Sequence, residues 1–322
     1  MAKAKTGLTP NEVFQQSLVD LRNGHWKEGW QRYESRFDIY NLAPEYITNL
    51  APKWDGKSQG RLLVWAEQGL GDTLFFSRWI PKAKDRCGGN LNILDRMCML
   101  RMWDVCPHVN IVYDRGYLSA SQLGKFDYQI SLVSLPHVLG IPVIKEADAG
   151  FQDMMLPRYM KEAPVKKVGI CWAGSPSNPN DNRRSMELKD LTPILLRDDI
   201  ACVSLQMASW HPYQTRDSEK GLLNRLTRIT ENIIDDVYDM ASIIQQLDVV
   251  VTVDTMVAHL AGILGIPTLM LANDDGDWRW GWEKDGNNGN GEETQWYKTM
   301  RIFRRGEGEC WKRVVGEVNG QI

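Results

Sequence analysis

The β-branched run Val249–Val253 stops at Asp254-Thr255, and a string of small apolar residues from Met256 to Gly262 follows at once. Such a run suits a buried strand and resists helix. The residues after it favour helix. The first N–H groups of a helix have no intrahelical partner, and the macrodipole places about half a positive charge at the same end. A strand that runs straight into a helix start therefore offers an anion site, apt for phosphate or diphosphate. Glu67-Gln68-Gly69-Leu70-Gly71-Asp72 is a second turn of this kind. One turn in each half predicts an α/β chain of two nucleotide-type domains facing each other.

The length of 322 residues suits two cores. A formal net charge of −3 gives no global basic field for nucleic acid or an anionic membrane. The six cysteines are scattered without a Cys-x-x-Cys pair, which reads as buried thiols in a reducing, cytoplasmic setting. The five histidines show no zinc spacing, so no metal site is expected. No apolar run reaches the ~20 residues of a membrane span, and no signal peptide is evident.

Along the chain, residues 1–40 predict a helical hairpin. Thr9-Pro10 with Glu12 reads as a helix start, and Asn23-Gly24 separates it from a second helix carrying Trp26, Trp30, Tyr33 and Phe37. This unit resembles one tetratricopeptide repeat. Residues 41–155 then alternate strand and helix, including a helix over Asp72–Lys84 kinked at Pro81. A linker over 150–165 leads to a second alternating series, making residues 156–298 the second domain. The stretch 285–294 reads as a loop, and 299–322 as a terminal helix packing back on the first domain.

Three constellations carry chemistry. In the first, Gly69 and Gly71 let a ligand approach the backbone, and Asp72 is either a helix cap or a catalytic carboxylate. The glycines partly match a dinucleotide fingerprint, with Asp95 in place of a ribose-binding acid, but Leu74 stands where a third glycine belongs. In the second, a polar loop after the strand ending at Trp172 holds Arg183 and Arg184, either a forked diphosphate clamp or a solvated pair. The third is Asp254-Thr255, where His259 shares a helix face with Thr255 and meets either ligand or a neighbouring carboxylate. Asp274-Asp275-Gly276-Asp277 reads as a turn rather than a metal site.

Taken together, Trp26–Phe37, Pro52-Lys53-Trp54-Asp55-Gly56, Glu67–Asp72, Trp172-Ala173-Gly174, Ser204-Leu205-Gln206, Asp254–Gly262, Asp277-Trp278-Arg279-Trp280 and Trp296–Arg304 resemble the tetratricopeptide-repeat-associated glycosyltransferases, relatives of the family-nine lipopolysaccharide heptosyltransferases. The resemblance covers nearly the whole chain from about residue 24. It implies a GT-B fold, with two Rossmann-like domains around a cleft, and a nucleotide-sugar donor held by the second domain. It implies Asp72 as general base. It places Asp254, Thr255, Met256 and His259, with Arg183 or Arg184, at the donor phosphates. The chain departs from many relatives in having a single repeat-like unit and the insertion at 285–294.

The expected activity is inverting, metal-independent transfer of a sugar from a nucleotide-sugar substrate to an acceptor hydroxyl, with no cofactor. Ser204, Gln206 and Trp278 are expected near the nucleoside. The acceptor stays open among glycan, lipid-linked saccharide, protein and modified nucleic acid. Two other readings compete: a catalytically silent module of the same fold that uses its helical N-terminus for protein contacts, and a nicotinamide-dependent oxidoreductase.

Overall fold

The computed structural model describes residues 7–43, 47, 49–116, 126–145, 150–151, 160, 164–206, 220–228, 234–280 and 292–322. Two compact units emerge. The first comprises Met1–Gln68, Phe76–Ile144 and Asp277–Trp282; the second comprises Gly69–Phe75, Lys145–Gly276 and Glu283–Ile322.

The first unit opens with helices α1 (Pro10–Arg22), α2 (Trp26–Tyr33) and α3 (Arg36–Ile39). Thr9 and Glu12 close a reciprocal cap at the start of α1, with Pro10 in its first turn, as the sequence predicts. Strands β1 (Leu62–Trp65), β2 (Leu91–Asp95), β3 (Ile111–Asp114) and β4 (Tyr128–Ser131) form a wholly parallel sheet in the order β3-β2-β1-β4. Every residue of β1 and β2 is buried; β1 is a continuous apolar run, while β2 also buries Asn92 and Asp95. The Pro52–Gly56 motif builds the sheet margin. Trp54 N–H donates to the Gln129 carbonyl at 2.9 Å, and Asp55 accepts from the Lys57 and Ser58 amides.

Helix α4 (Leu70–Phe76) follows β1 in the chain, with Gly69–Phe75 falling in the second unit. The single helix expected over Asp72–Lys84 is instead two. A 3₁₀ turn over Ser77–Trp79 separates α4 from α5 (Ile80–Arg86), with Pro81 in the first turn of α5. Proline lacks the N–H that would continue the ladder, so the helix restarts around it. Short helices α6 (Leu100–Asp104) and α7 (Leu135–Leu139) complete this half.

The second unit contains β5 (Lys166–Cys171), α8 (Asp181–Arg184), α9 (Thr192–Leu195), β6 (Ile200–Ser204), α10 (Lys220–Leu223), β7 (Leu226–Thr227), α11 (Val237–Ile244), β8 (Val249–Val253), α12 (Met256–Ile263), β9 (Thr268–Ala272), β10 (Glu292–Thr294), β11 (Tyr297–Arg304) and α13 (Lys312–Asn319). The sheet order is β10-β11-β9-β8-β5-β6-β7, parallel except for β10. The chain enters at β5, steps outward to β6 and β7, then returns to the other side of β5 through β8, β9 and β11. The first sheet begins the same way, from β1 out to β3 and back to β4. This is the doubly wound, Rossmann-like order, in which ligands bind beyond the carboxyl ends of the strands where the direction of winding reverses. That point lies between β1 and β4 in the first sheet, and between β5 and β8 in the second.

The tail corrects an expectation. Residues 297–304 form a strand of the second sheet, and α13 packs into the second unit's core. Aromatic and branched residues around Tyr297, Ile302 and Phe303 favour strand. Trp311, Val314, Val315 and Val318 recur at helical spacing and are buried beside Phe303. Each such valine contributes roughly 1.5–3 kcal/mol through burial. The loop expected over 285–294 lies outside the described residues up to 291, and its last residues, 292–294, are β10. Of the linker expected over 150–165, residues 152–159 and 161–163 also lie outside them.

Candidate active site

The reversal point of the second sheet is built from the ends of β5 and β8. After β8 the chain turns at Asp254-Thr255. Thr255 caps α12, its hydroxyl accepting from the Val257 amide at 3.2 Å, a cap of the kind that contributes about 1 kcal/mol. Thr252 Oγ1 lies 3.3 Å and Cys171 Sγ 3.7 Å from the same hydroxyl. Burial pushes the Cys171 thiol pKa up, outweighing its hydrogen bonds, so the floor of the turn is a neutral thiol near pH 7.

Beyond β5 the two arginines part company. Arg184 donates to the Asp254 carbonyl at 2.9 Å and to Asp181 at 3.2 Å. Its guanidinium lies over Gly174, where a Cβ would stand 2.4 Å from Nη2. Asp181 also accepts from the Ser185 hydroxyl, which in turn accepts the Gly174 amide, each at 2.9 Å. This lattice fixes Arg184 beside the Thr255 turn. Arg183 instead pairs with Asp275 at 3.0 Å and Asp274 at 3.4 Å, about half-exposed. Asp274 and Asp275 thus form the expected turn, and it holds an arginine. Among the described residues, Arg184 is the one of the two arginines that bonds to the Asp254-Thr255 turn.

Gln206 spans the end of β5. Its side-chain amide donates to the Ala173 carbonyl and accepts the Ala173 N–H, both at 3.1 Å. Ser204 is buried, and its hydroxyl accepts from the Gln206 amide N–H at 3.3 Å.

His259 is 5% exposed and bonds through Nδ1 to the Tyr297 hydroxyl at 2.8 Å. This partner is a phenol, where the sequence offered a ligand or a neighbouring carboxylate. Gly262 makes this possible, since a Cβ there would sit 2.4 Å from the Tyr297 ring. No spacing rule links positions 259 and 297, so the pairing of His259 with Tyr297 escaped the sequence reading.

Residues Gly69–Phe75, which carry Asp72, belong to this same unit. Helix α4 starts at Leu70, so Asp72 is its third residue rather than its cap. The Asp72 carboxylate reaches back to accept the Gly69 N–H at 2.9 Å. Gly71 lies against the first turns of α12. A Cβ on it would meet His259 Cδ2 at 2.9 Å and Met256 Cα at 3.7 Å. One turn further on, Phe75 packs edge-on against His259 and Trp296, with ring centroids 5.9 and 4.9 Å away. The two strand-to-helix turns singled out in the sequence are therefore in van der Waals contact, and Asp72, Thr255 and Arg184 share one compact unit.

The chain has the fold of the family-9 heptosyltransferase structures. It superposes on Escherichia coli ADP-heptose lipopolysaccharide heptosyltransferase II with a TM-score of 0.51 and 15% identity, over 81% of this chain and 98% of that one. Escherichia coli heptosyltransferase WaaC, solved with ADP-2-deoxy-2-fluoro heptose, gives the same score at 11% identity over the same shares. A glycosyl transferase family 9 structure from Veillonella parvula gives 0.51 at 9% identity, over 79% and 88%. In sequence, Protein FlbA of Caulobacter vibrioides is 24% identical over 329 residues, 95% of this chain and 54% of FlbA. The chain thus spans about half the length of the curated relative it matches. No family model matches it.

Trp278, expected near the nucleoside, and Asp95, the acid of the competing dinucleotide reading, are both buried against protein. Trp278 is 3% exposed, ringed edge-on by Trp26 and Trp30 with the Arg279 guanidinium 4.5 Å from its ring centre. It is a buried core residue of the first unit. Asp95 is buried, accepting from the Trp103 indole and the Arg96 amide at 2.8 Å each, so no ribose can take those bonds. Burial, only partly offset by these bonds, raises its pKa. Among the described residues no cluster of three or more His, Cys, Asp or Glu is placed to hold a metal ion, and no helix is long and apolar enough to cross a membrane.

Proposed function

We propose that this chain is a glycosyltransferase that moves a sugar from a nucleotide-sugar donor to an acceptor hydroxyl, with inversion and without a divalent metal. The contact of Gly71 with Met256 and His259 carries this reading, because it brings a carboxylate turn beside an anion turn. Asp72 is the general base. It removes the acceptor proton as the glycosidic bond forms, an effect worth about 10²–10⁴-fold. The leaving nucleoside diphosphate gains charge as the old bond breaks. The N–H groups opening α12 and the Arg184 guanidinium receive it, in the role that a metal fills elsewhere. Two of the similar structures are described as holding ADP or an ADP-heptose analogue, which makes ADP the first probe to try. The helical hairpin α1–α2 is, on this reading, a single tetratricopeptide-like unit, and the acceptor is a hydroxyl of a glycan, lipid-linked saccharide, protein or modified nucleic acid.

A thermal-shift panel of nucleoside diphosphates and nucleotide sugars identifies the donor, since a ligand that binds only the native state raises the melting point. With that donor, Asp72→Asn abolishes transfer and leaves donor affinity within about threefold. Normal turnover in Asp72→Asn rejects the base; a panel with no shift rejects the nucleotide-sugar reading.

A further inference from the structure

The glycine turn contains two residues, Glu67 and Gln68, that the transfer reaction leaves without a role. Both lie at the reversal point of the first sheet, where the ends of β1 and β4 meet. In an open Rossmann-like sheet a ligand occupies this position. Here an arginine occupies it. Arg36, at the start of α3, is 1% exposed, and Glu67 is 2% exposed. Arg36 Nη2 donates to Glu67 at 2.7 Å and to the Ser134 hydroxyl at 2.8 Å. Nη1 donates to Glu34 at 2.7 Å and to the Tyr33 carbonyl at 3.1 Å, while Nε bridges both Glu67 oxygens at 3.2 Å. The plane is also stacked, with the Phe37 ring centre 4.2 Å away. Ser131 donates to Glu67, and Lys53 to Glu34 at 2.7 Å. Two cations and two carboxylates leave the cluster neutral.

The next residue is held in turn. Gln68 is the one non-glycine among the described residues with positive φ, at 62°. For an L-residue this conformation costs roughly 1–2 kcal/mol. The Tyr33 hydroxyl lies 3.3 Å from its amide nitrogen, and the Arg96 guanidinium donates to its carbonyl.

We propose that Arg36 is a tethered ligand of the first sheet: its guanidinium fills the reversal point and, with Tyr33, sets the Glu67-Gln68-Gly69 bend from which Asp72 follows. The proton-transfer consequence rests on the function proposed above; the structural claim does not. Arg36 is thus a positioning residue, and the helical N-terminus is an internal part of the first unit's fold.

The test is chemical rescue. Arg36→Ala in the full chain leaves a site bounded by Glu34, Glu67, Ser131 and Ser134, matched to a free guanidinium. Methylguanidinium at tens of millimolar raises the melting temperature of this variant, methylammonium at equal ionic strength does not, and the wild type gains nothing from either. By hydrogen exchange, the Gly69 and Thr73 amides exchange at least about tenfold faster in Arg36→Ala and recover protection on rescue, while α12 stays protected. A folded variant with no methylguanidinium effect, or with wild-type protection at 69–73, overturns the proposal. If Arg36→Ala does not fold, Arg36→Lys keeps the charge and loses the fork. Faster exchange at 69–73 in Arg36→Lys supports the proposal, and wild-type exchange overturns it. None of these readouts uses donor or turnover, so a failure of the transferase reading shows separately as wild-type protein that binds no nucleotide.

Discussion

Gly71→Ala is the most direct probe of the contact on which the site depends. In an ordinary helix this change stabilises by up to about 1 kcal/mol, because alanine has less backbone freedom to lose. Here the new methyl arrives 2.9 Å from His259 Cδ2 and 3.4 Å from Nε2. The imidazole has nowhere to retreat. Its Nδ1 is bonded to Tyr297, Phe75 packs against its ring, and it is buried. Overpacking a filled site costs typically 1–3 kcal/mol. Set against the propensity gain, the expected net loss is about 0.5–2 kcal/mol, read as a lower urea midpoint with unchanged slope. The larger effect falls on function, since α4 must shift away from the start of α12. ADP affinity, measured by calorimetry, should weaken by about tenfold, or ~1.4 kcal/mol. His259→Ala opens the space, so the double variant should be more stable than the sum of the single changes. A Gly71→Ala protein with wild-type stability and wild-type ADP affinity refutes the packing of the two turns.

Gly174→Ala tests the arginine. Its Cβ would stand 2.4–2.6 Å from three guanidinium atoms of Arg184, the far end of a side chain that can swing out. Stability should change by under ~1 kcal/mol while ADP affinity falls about tenfold; unchanged affinity moves the phosphate contact elsewhere. The Arg36 cluster also predicts an acid limb. Glu34 faces Arg36, Lys53 and the Ser134 hydroxyl. Burial is the largest single influence and raises its pKa, but the two cations together outweigh it and hold the carboxyl at about 2. A carboxylate with a depressed folded pKa contributes stability that is complete above its unfolded value near 4.5 and is lost as pH falls toward 2. Melting curves from pH 6 to 2.5 should therefore show wild type losing its advantage over Glu34→Gln between pH 4.5 and 2.5; parallel curves refute the assignment.

Much of the scaffold was legible in the residues. Val249–Val253 and the Thr255 cap announce a strand and a helix because β-branching and capping are local effects, felt within one turn of chain. The doubly wound alternation followed from such elements in series. What escaped was everything decided by distant partners. Arg36 and Glu67 lie 31 residues apart in sequence, and nothing periodic connects them. Arg183 and Arg184 are neighbours whose side chains serve different carboxylates, which adjacency alone conceals. Trp278 misled because an aromatic residue looks the same in a sequence whether it lines a ligand site or fills a core. The tail misled because Tyr297–Arg304 is apolar enough for helix or strand, and pairing with β9 decides between them.

The margins of the seven-stranded sheet have a consequence for solution behaviour. β7 has only two residues, and three-residue β10, with a register shift between Glu293 and Thr294, lies along the outer side of β11. Long flat margins recruit foreign strands, whereas short, irregular ones offer little template. A variant lacking Glu292–Thr294 would bare the backbone of β11 over Tyr297–Ile302. Such a protein is expected to form thioflavin-positive aggregates at concentrations where the intact chain stays dispersed.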